Sequence, residues 1–488
     1  MKVMQQTIET CDAIIVGAGV LGASISRKLL KEGFKVRCFD ANYIRDESAT
    51  LASGAMLGAI GEVTEHELGE EGGAELRYRL ESAKRFPEWV QELTESTGQP
   101  VSFNKGTAII ANNNGKDDLA NILAMEKIAI SSGTPCSWIN ATDLPFLKPH
   151  MAQKPLKCLH LPQEGYVDSQ QLLRTLHYGN SSMDSDWLVH SDVRTLVHDG
   201  SKITGVTTNT GEDYQSDTVI LCCGVSINSL LKNGLETVLP TILGGKGSSL
   251  VVSANVQSEM VIRSPNRDFA CGIHVVPRGS GQHFIGATNR ISDTPGASGG
   301  VTVGEMHALL HSATQEINTR YRTAKILSSR SGVRPLCADG HPAIGRTKFE
   351  GLLVATGTYR NGVLMSPLIA EEIKDILTGK SQQASVFEPI NRSKLTFASN
   401  VGSPLRSGVK DLVSFIQEPH GSLPYNRSEE LADLLEVLIT AVASSSVSLN
   451  QLSEKTGIDL STIDRAEKVP SLLYAAHESA ERLRNSEV

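Results

Sequence analysis

The chain has 488 residues, 40% hydrophobic and 20% charged, with a formal net charge of −8. This is the composition of a globular protein large enough for about two to three domains. The acidic balance excludes the positive footprint that nucleic acid requires, and no apolar run is long enough to span a bilayer. The opening MKVMQQTIETCD lacks the apolar core of a signal peptide. Eight scattered cysteines contain no C-x-x-C pair, which argues against a zinc site or a disulfide framework and for a reducing, cytoplasmic setting.

The first elements form one βαβ unit. Asp12–Val16 reads as a buried strand, Val20–Lys31 as a helix closed by Gly33, and Lys35–Phe39 as a second strand ending at Asp40. Gly17, Gly19 and Gly22 make G-x-G-x-x-G between strand and helix. The first glycine permits the tight turn, the second lets a pyrophosphate reach the backbone, and the third allows close packing of helix on strand. The free N–H groups and dipole of the helix N-terminus favour phosphate charge. Asp40, eighteen positions after Gly22, is placed to accept hydrogen bonds from ribose hydroxyls. A dinucleotide is therefore expected, and an acid at this strand end suits NAD and FAD equally.

Further along, residues 77–95 read as a helix interrupted at Pro87, 107–111 as a strand and 119–132 as a helix. Residues 202–224 read as a β-meander ending in the buried strand TVILCCG, in which Cys222 and Cys223 look like small core residues. Residues 271–288 form a hairpin turned at Gly279–Gly281. GLLVATGTYRNGVL then repeats the opening logic: a strand at Gly351–Ala355, a turn at Gly357 and a helix from about Gly362, with Pro367 at the margin of its first turn. This recurrence, with the second buried strand ending in glycine, favours FAD over a nicotinamide cofactor. The N–H groups of Gly362, Val363 and Leu364 would give a cluster of donors suited to the charge of a reduced flavin. After residue 390, Ser-rich loops lead to helices at 428–444 and 450–486. Their helix–Gly turn–helix rhythm resembles a DNA reader, but Asp464 and Glu467 balance Arg465 and Lys468, so a helical cap or an oligomer contact is the better reading.

Four segments carry a family resemblance. TGTYRNGVLMSP resembles the G-H-F/Y-R-N-G-I-L-L-x-P signature of glycine oxidases, within the FAD-dependent D-amino-acid oxidase superfamily. SGVRPLCADGHPAIG (331–345), LASGAMLGAIGE (51–62) and CGIHVVPRGSGQHFIGAT (271–288) resemble further motifs of the same family, in the same order, over roughly the first 390 residues. The resemblance implies an α/β fold in which a Rossmann-type FAD-binding domain is interleaved with a mixed β-sheet substrate domain. The FAD-binding segments would be 1–85, 155–235 and 325–395, the substrate segments 86–154 and 236–324, and residues 396–488 a helical C-terminal extension.

Carried over by position, the resemblance places Val20, Leu21, Asp40, Ala41, Ala49, Thr50, Gly54, Ala55 and Met56 on the cofactor, followed by Val193 and Gly224. It adds Thr358, Tyr359, Arg360, Asn361, Gly362, Val363 and Leu364 from the late turn. Arg334 matches an arginine that pairs with the substrate carboxylate, and Arg360 a second arginine near flavin and substrate. A fork-shaped, permanently charged guanidinium is the natural partner for a carboxylate in a dry pocket. The alternatives are an ordinary ion pair for Arg334 and a brace on the flavin or a neighbouring carboxylate for Arg360.

His274 stands where the family has a substrate-facing tyrosine, with a satisfied strand histidine as its alternative; Met56 could line the pocket or belong to the core. Thr358 and Tyr359 stand where the family often has histidine and an aromatic, and together these changes leave room for an N-substituted or bulkier amino acid, or a secondary amine. The implied activity is oxidation of the C–N bond of glycine, an N-substituted glycine or a related amino acid, by hydride transfer from Cα. No side-chain base is required, and oxygen is the expected acceptor, giving peroxide. The alternatives are a dehydrogenase that passes electrons to a quinone or carrier protein, and a flavin-bearing regulatory protein that acts through its C-terminal helices.

Overall fold

The computed structural model describes residues 9–41, 48–64, 73–111, 116–235, 237–240, 242–266, 272–292, 299–337, 341–380 and 387–390. The helical extension expected over 396–488 lies outside the described residues. The run Ala13–Val16, buried at every position, is the apolar strand that a parallel sheet covered on both faces requires. It lies in a six-stranded sheet ordered Ala343–Arg346, Leu352–Thr356, Val219–Leu221, Ala13–Val16, Val36–Phe39, Leu188–Val189. All neighbours are parallel except the first pair. The early and late strand–turn–helix units therefore stand side by side, separated by one strand. Val219–Leu221 ends before the two cysteines, so Cys222 and Cys223 sit beyond the strand rather than within it.

The two helices that leave these strands, Val20–Lys31 and Gly362–Leu377, share one core. Val20, Leu21, Ile25 and Leu29 meet Val363, Leu364, Ile369 and Ile373 there. Gly73–Thr97 lies against them as a single helix that runs through Pro87 rather than stopping at it. Buried Phe86, Trp89, Val90 and Leu93 offset the lost backbone bond, which in a helix interior costs about 3 kcal/mol. Ser82 Oγ donates to Leu364 O at 2.6 Å and pins this helix to the late one. Pro367 lies inside the late helix, beyond its first turn. Ser366 Oγ donates at 2.9 Å to Val363 O, the carbonyl that a proline nitrogen cannot serve.

The second layer is a nine-stranded mixed sheet. Its path runs Arg290–Ser292, Ile242–Ser253, Gln282–Gly286, His274–Pro277, Val261–Arg263, Phe103–Ala111, Lys157–Val167, Ser137–Ile139, and Lys325–Cys337 pairs with Ile242–Ser253. The hairpin turns where the glycines predict. Lys157–Val167 and Lys325–Cys337, which the sequence reading places in cofactor-binding segments, both pair with this large sheet. Each also bonds a turn outside that sheet: Leu57 N donates to Gly165 O, and Tyr359 N to Pro335 O. Among the described residues no helix is long and apolar enough to cross a membrane.

Candidate active site

At the glycine turn each residue has a distinct steric reason. Gly17 has φ +102°, and a Cβ there would press on Cys222 C and O at 2.7 Å. A Cβ at Gly22 would overlap Gly17 O, so helix and strand approach as closely as backbone allows. A Cβ at Gly19 would meet only Thr50 Oγ1, at 3.5 Å, so this glycine is not needed by the protein's own packing. Thr50 Oγ1 accepts from Val20 N at 3.2 Å, and Asp40 Oδ2 accepts from Ala18 N at 2.7 Å. Asp40 thus braces the turn as well as fronting the space beyond it. His177, 2.8 Å from Ala18 O through Nε2, supports the same turn from behind.

The late helix begins at Gly362, as the sequence predicts, and no side chain caps it. The turn before it is held open by Gly357 and by Tyr359 at φ +48°, an unfavourable conformation for a residue with a side chain. Tyr359 N donates to Pro335 O at 2.9 Å, which offsets part of that strain. Ala55, φ +48°, plays the equivalent part in the segment 51–62, with its carbonyl accepting from Val167 N at 3.1 Å.

These pieces enclose a cavity of about 530 Å³ between the two sheets. Every predicted site residue lines it except Gly22, Asn361 and Leu364. Gly22 is spent on packing, Asn361 turns its side chain to Glu75 at 3.2 Å, and Leu364 is buried between the helices. Gly19 and Gly362, 343 positions apart in sequence, face one space.

At the inner end Arg334 Nη1 donates to Thr288 O at 3.1 Å and Asn289 Oδ1 at 3.3 Å. The Asn289 amide also donates to the Tyr359 hydroxyl, linking the arginine to the late turn. The guanidinium lies over Gly247, where any Cβ would collide with it. His274 is buried in the cavity wall, its ring stacked on Phe284 with centroids 5.9 Å apart and its Nδ1 3.2 Å from Gly272 O. Burial, with Arg263 adding to it, pushes its pKa down to about 3, so the imidazole is neutral.

The sequence reading missed an ionic cluster beside these residues. Glu62 Oε1 lies 2.5 Å from Arg263 Nη1, and Glu62 Oε2 accepts from Asn266 at 2.6 Å and lies 3.7 Å from Arg360 Nη1. Burial opposes the charge on Glu62, but Arg263 and Arg360 hold its pKa at about 2. Arg360 also lies over the Tyr359 ring at 5.0 Å, so it braces a carboxylate and the late turn together. Behind the cluster Glu164 accepts from Ile60 N at 2.5 Å and Gly61 N at 3.1 Å. Burial raises its pKa to about 7 despite those bonds. The available signal was Arg263 itself, a charge inside the apolar run MVIRSP. Among the described residues, the guanidiniums of Arg263, Arg334 and Arg360 and the carboxylate of Glu62 line this end of the cavity.

The described residues fit FAD in shape and chemistry. The cavity has a glycine turn and an acid-tipped strand at one end and an uncapped helix N-terminus at the other, and Gly19 leaves open the space that a methyl group would fill.

A family model described as FAD dependent oxidoreductase (DAO) matches residues 12–376. Glycine oxidase of Geobacillus kaustophilus (strain HTA426) is 28% identical over 377 residues, 76% of this chain and 93% of that protein. The crystal structure of glycine oxidase from Geobacillus kaustophilus shares the fold, with a TM-score of 0.66 at 24% identity over 81% of this chain and 100% of that one. Iminodiacetate oxidase from Chelativorans sp. BNC1 does so with a TM-score of 0.65 at 19% identity, over 77% and 98%. Because the family model spans residues 12–376, about three quarters of the sequence, the chain belongs to the DAO family of FAD-dependent oxidoreductases.

Proposed function

We propose that this enzyme oxidises the C–N bond of a small amino acid, glycine or an N-substituted glycine, with oxygen as acceptor and peroxide as product. The observation that carries this reading is Arg334, half-buried in the same cavity as the glycine turn and aimed by Thr288 and Asn289. FAD, when bound, supplies the hydride acceptor. Arg334 binds the substrate carboxylate through paired N–H donors, and fixing that group orients Cα. Arg360, tied to Glu62, adds positive charge without itself being free to swing. His274, neutral, offers its ring to the substrate's amine end without repelling the carboxylate's partners. No group in the cavity needs to act as a base if the amine arrives unprotonated. Phe284 and Met56 exclude water from the inner end.

The N-substituted class is favoured by His274, whose side chain is smaller than a tyrosine, and it agrees with iminodiacetate, the compound for which the Chelativorans oxidase is named. Cys38, Cys136, Cys158, Cys222 and Cys223 are free thiols, which suits a reducing cytoplasm. The test is anaerobic mixing of the holoenzyme with glycine, N-alkylglycines, other amino acids and 2-hydroxy acids. Bleaching of the flavin by carboxylate-bearing amines, followed by peroxide on admitting air, is the expected result. Bleaching without peroxide identifies a dehydrogenase, and bleaching by hydroxy acids alone overturns the assignment of substrate class.

A further inference from the structure

We infer that His177 is a positioning residue for the cofactor: it holds the Ala18 carbonyl and so aims the N–H of Gly19 at the diphosphate of FAD. The role is independent of which amine the enzyme oxidises. His177 Nε2 lies 2.8 Å from Ala18 O, and a carbonyl oxygen only accepts, so this ring nitrogen carries the proton. Burial lowers the pKa of the imidazole, so at pH 7 the ring is neutral and its single N–H is the one given to Ala18.

Two side chains fix the two peptide planes of the turn. Ala18 N donates to Asp40 Oδ2 at 2.7 Å, which sets the Gly17–Ala18 peptide, and His177 sets the Ala18–Gly19 peptide through its carbonyl. The Ala18–Gly19 bond is trans, and in a trans peptide the C=O and the N–H point in opposite directions. With Ala18 O drawn back to His177, the N–H of Gly19 points away from that ring. Ala18 and Gly19 line the main cavity and His177 does not, so this direction leads into the space that fits FAD. Among the described residues no acceptor takes the N–H of Gly19, whereas the next donor, Val20 N, is held by Thr50 Oγ1 at 3.2 Å. The Gly19 N–H is thus a donor that the protein leaves for its ligand.

The ring has little freedom to release that carbonyl. It is buried and packs edge to face against the fully buried Trp187, with centroids 5.3 Å apart. The helix that carries it, Ser169–Met183, is anchored on either side of it. At its start Asp168 caps the first turn, accepting from Gln170 N and Gln171 N at 2.9 Å. Just beyond His177, Asn180 Nδ2 donates at 2.9 Å to Ala23 O, on the helix that the glycine turn opens. Gly179 lets the helix approach its neighbours, since a Cβ there would press on Arg27 Nη1 at 2.6 Å and Thr97 Cγ2 at 2.8 Å. Asn180 therefore docks the same helix without touching Ala18, and separates general support from the aiming of one N–H.

The test measures the Kd of FAD by serial dilution of the holoenzyme, reading released flavin by its fluorescence, together with the phosphorus NMR resonances of the bound diphosphate. Neither readout needs turnover. His177→Leu removes the donor, and should raise Kd about three- to tenfold and shift the phosphorus resonances. His177→Gln, whose amide N–H has a similar reach, should return both to near the wild-type values. Asn180→Leu is the control: it should lower the melting temperature and leave Kd and the phosphorus spectrum unchanged. An unchanged Kd in His177→Leu, or an equal rise in Asn180→Leu, makes His177 a packing residue and overturns the proposal. Should His177→Leu fail to fold, His177→Gln still decides. Binding near wild type sustains the proposal, and a folded His177→Gln enzyme with Kd raised about tenfold or more overturns it, because the donor is then not what matters.

Discussion

Arg334 rests on Gly247: the guanidinium covers the α-carbon so closely that no side chain fits beneath it. The strand partner of Gly247 is Gly332, which lies under Ala49 and Ala52, so the two glycines admit different neighbours and only Gly247 makes room for the arginine. Gly247→Ala should displace the guanidinium from Thr288 and Asn289 while leaving the distant glycine turn intact. Charge-assisted hydrogen bonds contribute about 1.5–3 kcal/mol, so KM for a carboxylate-bearing amine should rise roughly ten- to hundredfold. Flavin content, read from the visible spectrum, should be normal. Combining Gly247→Ala with Arg334→Ala should add little to Arg334→Ala alone, because both act on one interaction. Independent, additive losses in the double variant would refute the link.

Gly19 and Gly22 differ in what fills the space above them, and their variants should fail differently. Gly22→Ala drives a methyl into Gly17 O, a backbone atom held by the turn, and should reduce folded yield whether or not flavin is supplied. The Cβ of Gly19→Val meets only Thr50 Oγ1 in the protein, so the variant should fold, but without room for a pyrophosphate it should purify colourless. Circular dichroism together with flavin content separates the two. A yellow Gly19→Val enzyme would contradict the assignment of the phosphate site.

The contrast shows what local patterning makes legible. The Gly17–Gly22 turn, the strand before it, Asp40 and the helix start at Gly362 were readable because each is fixed by neighbours a few residues away. That Gly19 and Gly362 face one cavity needed either the family's motif order or the sheet register, which places Val219–Leu221 between their strands. The helix through Pro87 was misread because burial of Phe86 and Trp89 outweighs a local breaker. Arg263 stands out in its apolar run, but its pairing was out of reach: Arg263 and Asn266 lie 201 and 204 residues from Glu62, and only tertiary packing makes them partners.

Glu62 is the hub of that cluster, and its loss should be costly. Glu62→Gln leaves Arg263 buried without a counter-charge, and removing one member of a buried pair costs about 3–5 kcal/mol. The midpoint of chemical unfolding should fall accordingly. Replacing both partners with apolar residues of similar volume, Glu62→Leu with Arg263→Met, should recover much of the loss, because the fully buried guanidinium of Arg263 is no longer stranded, although Arg360 still loses its contact with Glu62. A stable Glu62→Gln enzyme would mean that the pair contributes little to holding the cavity wall.

Glu164 should leave a signature in the pH dependence of stability. Its carboxyl is pushed up to about 7, above its usual 4.5, so from pH 4.5 to 7 the folded state keeps a proton that the unfolded chain has lost. The stabilisation from this group is therefore complete below about pH 4.5 and is lost as pH rises through 7, with a slope of at most about 1.4 kcal/mol per pH unit. His274 works in the opposite direction: its folded value of about 3 lies below its usual 6.5, so its contribution grows as pH rises towards 6.5. The wild-type curve mixes both, and the difference between wild type and Glu164→Gln isolates the first. The amide keeps an acceptor for the N–H groups of Ile60 and Gly61 but does not titrate. The melting temperature of Glu164→Gln relative to wild type should climb from about pH 5 to about pH 7.5 and then level off. A gap that stays constant over that range would show that Glu164 holds no proton in the folded enzyme, and that its two backbone donors are enough to keep the buried carboxylate charged.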